Sequence, residues 1–518
     1  MQNKNERTFI NKNKEYWATH STVTRKSEKV ILVEGQLFGA PNYMMRSAMA
    51  AKAVQEATGA RIIVIVDAEE SGEKEIKRLC QSFGITEFIN IRNERVPFKI
   101  QIGAFFTCFK AFIKNTPDAI LELSYKGMEM GHLVYDDILH DDIGSGNKNK
   151  HYSIDRLDFF CMKHIYKFCM RLFLYQSILQ KYDVLTYVST HTVYIDYGIM
   201  PFLAIDAHIP VVYSDDCAYA IINKYEDLFF HNRLNGHISE IIQSNDEKEL
   251  IRKAEAEFKR RMNGEGNIDT KLAFSNDKKS YLREDIRRKL GIQNNDSIVF
   301  IFAHVFRDSP HISSQMLYYD YYDWLEDTLV CVDKIKGVNW ILKEHPTGER
   351  IYKEVGVALG ILKKRELKNI LVCPEDFNTN SIRDVADAIV TCQGTIGMEC
   401  SCLGIPAVVC GKAFYTGFGF TIEPRSVKEY KKILLRLKKV KKLREDQINK
   451  AKVVYAAFQM YFGDHSTLLD NDVLDCIWGY NREPSILEAY KLINERYHEF
   501  DFVNTAFYQD VYKFFSEV

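Results

Sequence analysis

The stretch Ala388-Ile389-Val390-Thr391-Cys392-Gln393-Gly394-Thr395-Ile396-Gly397-Met398-Glu399-Cys400-Ser401-Cys402-Leu403-Gly404-Ile405-Pro406-Ala407-Val408-Val409-Cys410 sets out a structural unit in its order of residue types. The apolar run ending at Thr391 reads as a buried strand and Gln393-Gly394 as a turn. The residues up to Gly404 read as a short helix, and the run after Pro406 as a second strand. Strand, helix and strand in this order form a βαβ unit with parallel strands. Gly394 permits close approach of the backbone to a ligand. Thr395 is expected to cap the helix start, where unpaired amides attract phosphate. An ordinary tight βαβ turn has the same pattern, so the neighbours decide between the two.

Those neighbours repeat the alternation. Strand-like runs at 298–302, 338–343 and 370–373 precede it, with helical patterns between them. In the first half the runs lie at 29–35, 61–67, 87–91, 184–189 and 210–213, with helix-like stretches at 42–58 and 74–83. Alternating strands and helices predict an α/β fold with parallel sheets covered on both faces. The charged stretch 236–288, containing Gly264-Glu265-Gly266-Asn267, reads as a helical connection between two halves. The expected plan is a polar tail at 1–28, a Rossmann-like domain at 29–235, the connection at 236–288, a second Rossmann-like domain at 289–425 and helices at 426–518. Two such doubly wound domains facing a central cleft hold a ligand outside the carboxyl ends of their strands.

Composition narrows the class. With 518 residues, 46% apolar and 13% aromatic, the chain has ample material for buried cores. Lys and Arg number 69 against 70 Asp and Glu, a balance that argues against wrapping nucleic acid. The polar start, with no long apolar run after it, predicts a cytoplasmic protein without secretory signal or membrane span. Twelve scattered Cys without CxxC pairs fit a reducing compartment and no structural zinc. Between 428 and 444 nine residues are Lys or Arg and only Glu429 is acidic, while Tyr430, Ile433, Leu434, Leu437 and Val440 keep helical spacing. That segment is either a packed helix with a solvated basic side or a contact with the inner-membrane surface, making the protein peripheral there.

Four polar groups fall at predicted strand ends in the second half. They are His304 to Ser309 with Arg307, Lys343-Glu344-His345-Pro346, Pro374-Glu375-Asp376, and Gln393-Gly394-Thr395. Cations and donor amides of this kind suit a nucleotide-activated sugar, whose leaving phosphate gathers negative charge as the glycosidic bond breaks. Glu399, one turn into the short helix, is positioned to accept from a ribose or simply to favour the helix start by its charge. In the first half, Glu34 at the end of the first strand, Asp136 in the run Gly127 to Asp137 after an expected strand at 119–123, and His191 after the strand at 184–189 are candidates for acid or base. Neither Asp136-Asp137 nor Asp215-Asp216 is taken as a metal site, and no cofactor is expected.

Three motifs in order, Lys343-Glu344-His345-Pro346, Thr391 to Glu399, and Gly411-Lys412-Ala413-Phe414-Tyr415-Thr416-Gly417-Phe418-Gly419-Phe420-Thr421, resemble those of the capsule polysaccharide biosynthesis proteins. These are GT-B glycosyltransferases that include the bacterial β-Kdo transferases, which use CMP-Kdo. The resemblance covers residues 298–430 and implies a metal-independent transferase of capsule or lipopolysaccharide synthesis. It implies a nucleotide sugar, CMP-Kdo or a related CMP-ulosonate, held on the C-terminal domain, and a glycan or glycolipid acceptor on the N-terminal one. It also places Tyr415 near the donor, beside His304, Arg307, Lys343, His345, Gln393, Gly394, Thr395 and Glu399. A sugar-nucleotide 2-epimerase of similar fold and a non-catalytic polysaccharide assembly component remain alternatives.

Overall fold

In the computed structural model the chain divides into two compact units. The first holds Met1–Tyr135, Leu157–Leu228 and Phe462–Val518, and the second holds Asp136–Arg156 and Phe229–Tyr461. The structure describes residues 4–20, 27–35, 41–141, 151–215, 218–263, 265, 273–274, 277–346, 354, 356–462, 467–478 and 484–517. Gly264, Gly266 and Asn267, the expected linker glycines and their neighbour, lie outside them.

The first unit is built on strands β1 (Val30–Glu34), β2 (Arg61–Val66), β3 (Glu87–Asn90), β6 (Val184–Ser189), β7 (Val211–Ser214) and β8 (Tyr219–Ile222), with a hairpin of β4 (Ser124–Tyr125) and β5 (Met128–Glu129) apart from the sheet. The sheet order is β3-β2-β1-β6-β7-β8. All pairs are parallel except β7 with β8. Strands β1 and β2 are buried almost throughout, as expected of strands covered on both faces. The expected strand at 119–123 is instead a short helix, Asp118–Leu121, followed by the β4-β5 hairpin. Pro117 precedes that helix and Asp118 opens it, a start chemistry that overrides the apolar run.

Both chain ends belong to this unit. Residues expected to form a polar tail make the helix Lys4–His20, which buries Phe9, Ile10 and Trp17. Trp17 lies against Phe83 and Phe502, ring centroids 5.7 Å from each. The helix Ala506–Ser516 packs on the helix Pro41–Thr58, and the Arg46 guanidinium sits 4.2 Å over the Phe507 ring. The last third of the chain is therefore split: its end completes the first core, while the part before Tyr461 stays with the second.

The second unit contains β9 (Ser297–Phe302), β10 (Val338–Lys343), β11 (Ile370–Val372), β12 (Ala388–Thr391) and β13 (Ala407–Val409), all parallel, in the order β11-β10-β9-β12-β13. Trp324 and Trp340 are its largest fully buried apolar groups, and the Trp324 indole N–H donates to the buried Tyr430 hydroxyl at 3.1 Å. The chain forms two Rossmann-like doubly wound α/β units, as the sequence alternation predicted. Their strand orders reverse between β1 and β6 in one sheet and between β9 and β12 in the other, the places where such sheets open a crevice. No helix among the described residues is long and apolar enough to cross a membrane.

Candidate functional site

In the second unit the reversal point joins two of the predicted groups. His304, just beyond β9, accepts the Gln393 backbone N–H, just beyond β12, at 3.0 Å through Nε2. The ring is stacked on Tyr321 with centroids 4.2 Å apart. Burial, reinforced by His345 and His231 nearby, drives the His304 pKa down to about 3, so the ring is neutral and serves as an acceptor. A Cβ added at Gly394 would lie 3.5 Å from this imidazole and 2.9 Å from the Thr391 hydroxyl. Gly394 and His304 thus form one wall.

His304 also lines a cavity of about 480 Å³ at the ends of β9, β10 and β11, together with Lys278, Lys343, His345, Glu354 and Glu375. Lys343 comes from the last position of β10, and His345 is held beyond it where Pro346 ends regular structure. Burial lowers the Lys343 pKa, and burial followed by repulsion from Lys343 lowers that of Lys278. Repulsion of the Lys278 ammonium by that of Lys343 marks a place where an anion is welcome. Glu354 is spent differently, receiving the backbone N–H groups of Phe306 and Arg307 at 2.9 and 3.1 Å. Burial raises its pKa to about 7 against those donors.

Lys278 was not legible as a site residue, because its stretch reads as a charged connection. It arrives by a long-range docking: the Lys279 N–H donates to the Asp376 carbonyl at 2.7 Å, and the Asn378 N–H to the Lys279 carbonyl at 3.0 Å. Asp376 itself is ion-paired to Lys289 at 2.8 Å, while Pro374 and Glu375 of its group line the cavity.

The remaining predicted residues lie around this rim in distinct roles. The Gln393 side chain is buried and tied to Ser313, Met316 and Tyr321. Thr395, expected to cap the helix Ile396–Cys402, has φ −55° and ψ −25° and makes no capping bond. A capping residue needs extended backbone to turn its oxygen back to the amides, and Thr395 is already helical. Tyr415 is buried beneath this turn and donates to the Gly394 carbonyl at 2.5 Å. Its hydroxyl lies 2.3 Å from where a Cβ on Gly397 would be, so a side chain at Gly397 would collide with it. The loop Gly411 to Thr421 borders a second cavity of about 780 Å³ with Gln315, Lys412, Glu423 and Arg425.

Three candidates face elsewhere. Arg307 is buried with its guanidinium 4.3 Å over the Tyr152 ring. Glu399 accepts from Arg261 at 2.7 Å beside a separate small cavity, so its carboxylate is held by a cation. Asp136, in the second unit, is buried and accepts from His311 through both the backbone N–H at 3.2 Å and Nδ1 at 2.6 Å. Burial opposes charge on His311, yet Asp136 and the Tyr319 carbonyl outweigh it and raise the imidazole pKa. His311 is not legible as a partner in the sequence, since 175 residues separate it from Asp136.

In the first unit, Glu34 and His191 meet at the other reversal point. Glu34 ends β1 and is 2% exposed; its Oε2 receives the Thr190 N–H, the Thr190 hydroxyl and the Ser189 hydroxyl at 3.1, 3.1 and 3.2 Å. Burial lifts its pKa to about 7 despite these donors. His191 Nδ1 is 3.0 Å from the same Thr190 hydroxyl, and its ring stands edge-on to Tyr43 at 5.0 Å. Because that hydroxyl gives its proton to Glu34, Nδ1 must donate to it, and Nε2 is then the accepting nitrogen.

Comparison with known proteins adds a family. Residues 325–462 match the capsule polysaccharide biosynthesis protein family. Over this segment, the chain is similar to that family. The segment contains Lys343, His345, the Gly394 turn and Tyr415. A search of curated protein sequences returns no match. Among solved structures the chain is similar to the β-Kdo 2,4 transferase KpsC of Thermosulfurimonas dismutans, with 17% identity, TM-score 0.32, and coverage of 52% of this chain and 79% of that one. It is also similar to Anabaena HepE in complex with UDP-glucose, with 12% identity, TM-score 0.25 and coverage of 91% and 99%. A third is the UDP-GlcNAc 2-epimerase of Neisseria meningitidis bound to UDP-GlcNAc, with 11% identity, TM-score 0.20 and coverage of 91% and 100%. These are distant likenesses.

Proposed function

We propose that the chain is a glycosyltransferase of bacterial surface polysaccharide synthesis with a GT-B arrangement. Its donor is a nucleotide sugar, CMP-Kdo or a related CMP-ulosonate, and its acceptor a glycan or glycolipid. The observation that carries this reading is the cavity at the rim of the second sheet where Lys278, Lys343 and His345 converge. When the bond to the sugar breaks, the nucleotide leaves as an anion, and preformed cations at that point stabilise the charge as it develops. His345 donates to the phosphate, and the two lysines supply the balancing charge. His304 holds the Gly394 turn against the site, while Tyr415 fixes that turn from below.

On the acceptor side His191 is the base. Its Nε2 takes the hydroxyl proton as the acceptor oxygen attacks the anomeric carbon, and Thr190 and Glu34 hold the ring in the tautomer that leaves Nε2 able to accept. Glu34 is a positioning residue, because Thr190 stands between it and the imidazole.

The test is a melting-temperature screen with CMP, UDP and GDP, followed by nucleotide release from the matching sugar donor with and without acceptor glycan. A ligand that binds only the folded state raises the melting temperature. Stabilisation by CMP and release that depends on acceptor support the proposal. Release without acceptor points to an epimerase, and no stabilisation by any nucleotide removes the cavity from the account.

A further inference from the structure

We infer that the helix Phe98–Lys114, with the helix Phe159–Lys181 packed against it, seats the protein on an anionic bilayer surface. The helix Phe98–Lys114 is inverted relative to an ordinary surface helix. It buries only Ala104, Cys108 and Ala111, and the Cys108 thiol donates to the Met162 carbonyl of the neighbouring helix at 3.4 Å. Its large apolar side chains point the other way. Phe98, Phe105, Phe106, Phe109 and Phe112 are 74, 64, 57, 52 and 54% exposed, with two exposed isoleucines among them. A soluble helix turns such residues inward, and a row of this extent marks a contact surface. Phe159, at the start of the neighbouring helix, is 87% exposed.

Charge identifies the partner. The two helices contain no Asp or Glu and seven Lys or Arg, of which Lys114, Lys167 and Arg171 are ion-paired to acids of neighbouring elements, in a chain whose totals are 70 acidic and 69 basic residues. Lys99 and Lys110 are exposed on the first helix and Lys163 on the second. A second copy docking through the same face would bring like charges together around a two-fold axis. An anionic bilayer satisfies both features at once: the phenylalanines enter the acyl boundary and the lysines meet the headgroups. A helix of 17 residues lying in the plane gives a contact roughly 25 Å long. The basic segment 428–444 does not offer this, because Tyr430, Leu434 and Leu437 are buried in the second unit and Leu435 is the one large apolar side chain on its exposed, otherwise charged side. This surface is independent of the nucleotide cavity, and either proposal stands or falls alone.

The experiment is co-sedimentation of the full chain with vesicles of phosphatidylcholine alone or mixed with phosphatidylglycerol. Binding to the mixed vesicles, weakened by high salt, is expected. The double substitution Phe105→Ser with Phe109→Ser should lower partitioning roughly hundredfold, and Lys99→Glu with Lys110→Glu roughly tenfold or more on anionic vesicles only. Melting temperatures of both should match the parent, since the altered side chains are exposed. A separate Phe109→Trp variant should have its added fluorescence quenched by brominated lipid. Failure of the parent chain to bind mixed vesicles, binding undiminished in the serine variant, or a dimer that the serine variant converts to monomer would each overturn the inference.

Discussion

Replacing Glu34 by glutamine removes one proton-binding group from the first unit while leaving its size almost unchanged. In the folded chain this acid keeps its proton up to about pH 7, against 4.5 for an unperturbed glutamate, because burial outweighs the three donors on Oε2. Between those values the folded state binds more protons than the unfolded one, so stability falls as pH rises. The penalty is absent below 4.5, grows through that window and is complete above about 7. Each tenfold change in proton affinity corresponds to about 1.4 kcal/mol, so the full penalty is about 3 kcal/mol. Glutamine never ionises and does not carry it. Melting curves of parent and Glu34→Gln at pH 5 and pH 8 measure the effect. The variant should gain on the parent by about 2.5 kcal/mol between the two pH values, since part of the penalty is already present at pH 5, or roughly 5 °C for a cooperative unit of this size. His231, His304 and Glu354 also titrate abnormally, but they do so equally in both proteins and cancel in the difference. A stability difference that stays constant with pH would refute the assignment of an ionisable, desolvated acid at the β1 end.

His345→Ala should weaken nucleotide binding by about 1 to 3 kcal/mol if the imidazole donates to phosphate, and calorimetry showing parental affinity would remove it from the site. Lys343→Ala should raise the pKa of Lys278 by removing its neighbour's repulsion while weakening nucleotide binding, read by the pH dependence of that affinity. Gly397→Ala drives a methyl into the Tyr415 hydroxyl and should cost about 1 to 3 kcal/mol, part of which Tyr415→Phe restores in the double variant. Asp136→Asn should lower the His311 pKa, followed by its ring-proton titration, and destabilise the fold; an unchanged titration would mean the carboxylate does not hold that charge.

Much of the site was written in local sequence. Lys343-Glu344-His345-Pro346 and the Gly394 turn stand at strand ends because an apolar run followed by polar residues and Pro or Gly terminates a strand wherever it is placed. Burial of Gln393 and the need for Gly397 were not legible, because both follow from Tyr321 and Tyr415, which reach them across the fold. The same holds for Asp136 and Glu399, whose residue types suggested chemistry and whose neighbours, His311 and Arg261, hold them in ion pairs. Residues 4–20 looked like a polar tail since only Phe9, Ile10 and Trp17 face inward, a sparse pattern that gains meaning when the C-terminal helices arrive to cover it.

What the sequence determined alone is the alternation of strand and helix, for hydrophobic period and turn residues act over a few positions and need no distant partner. The order of the strands, the meeting of Glu34 with Thr190, the arrival of Lys278 at the cavity and the outward turn of the phenylalanines on 98–114 were decided by tertiary structure. Each depends on which surfaces of the chain cover one another, and burial, charge pairing and proton affinity take their values only once that covering is complete.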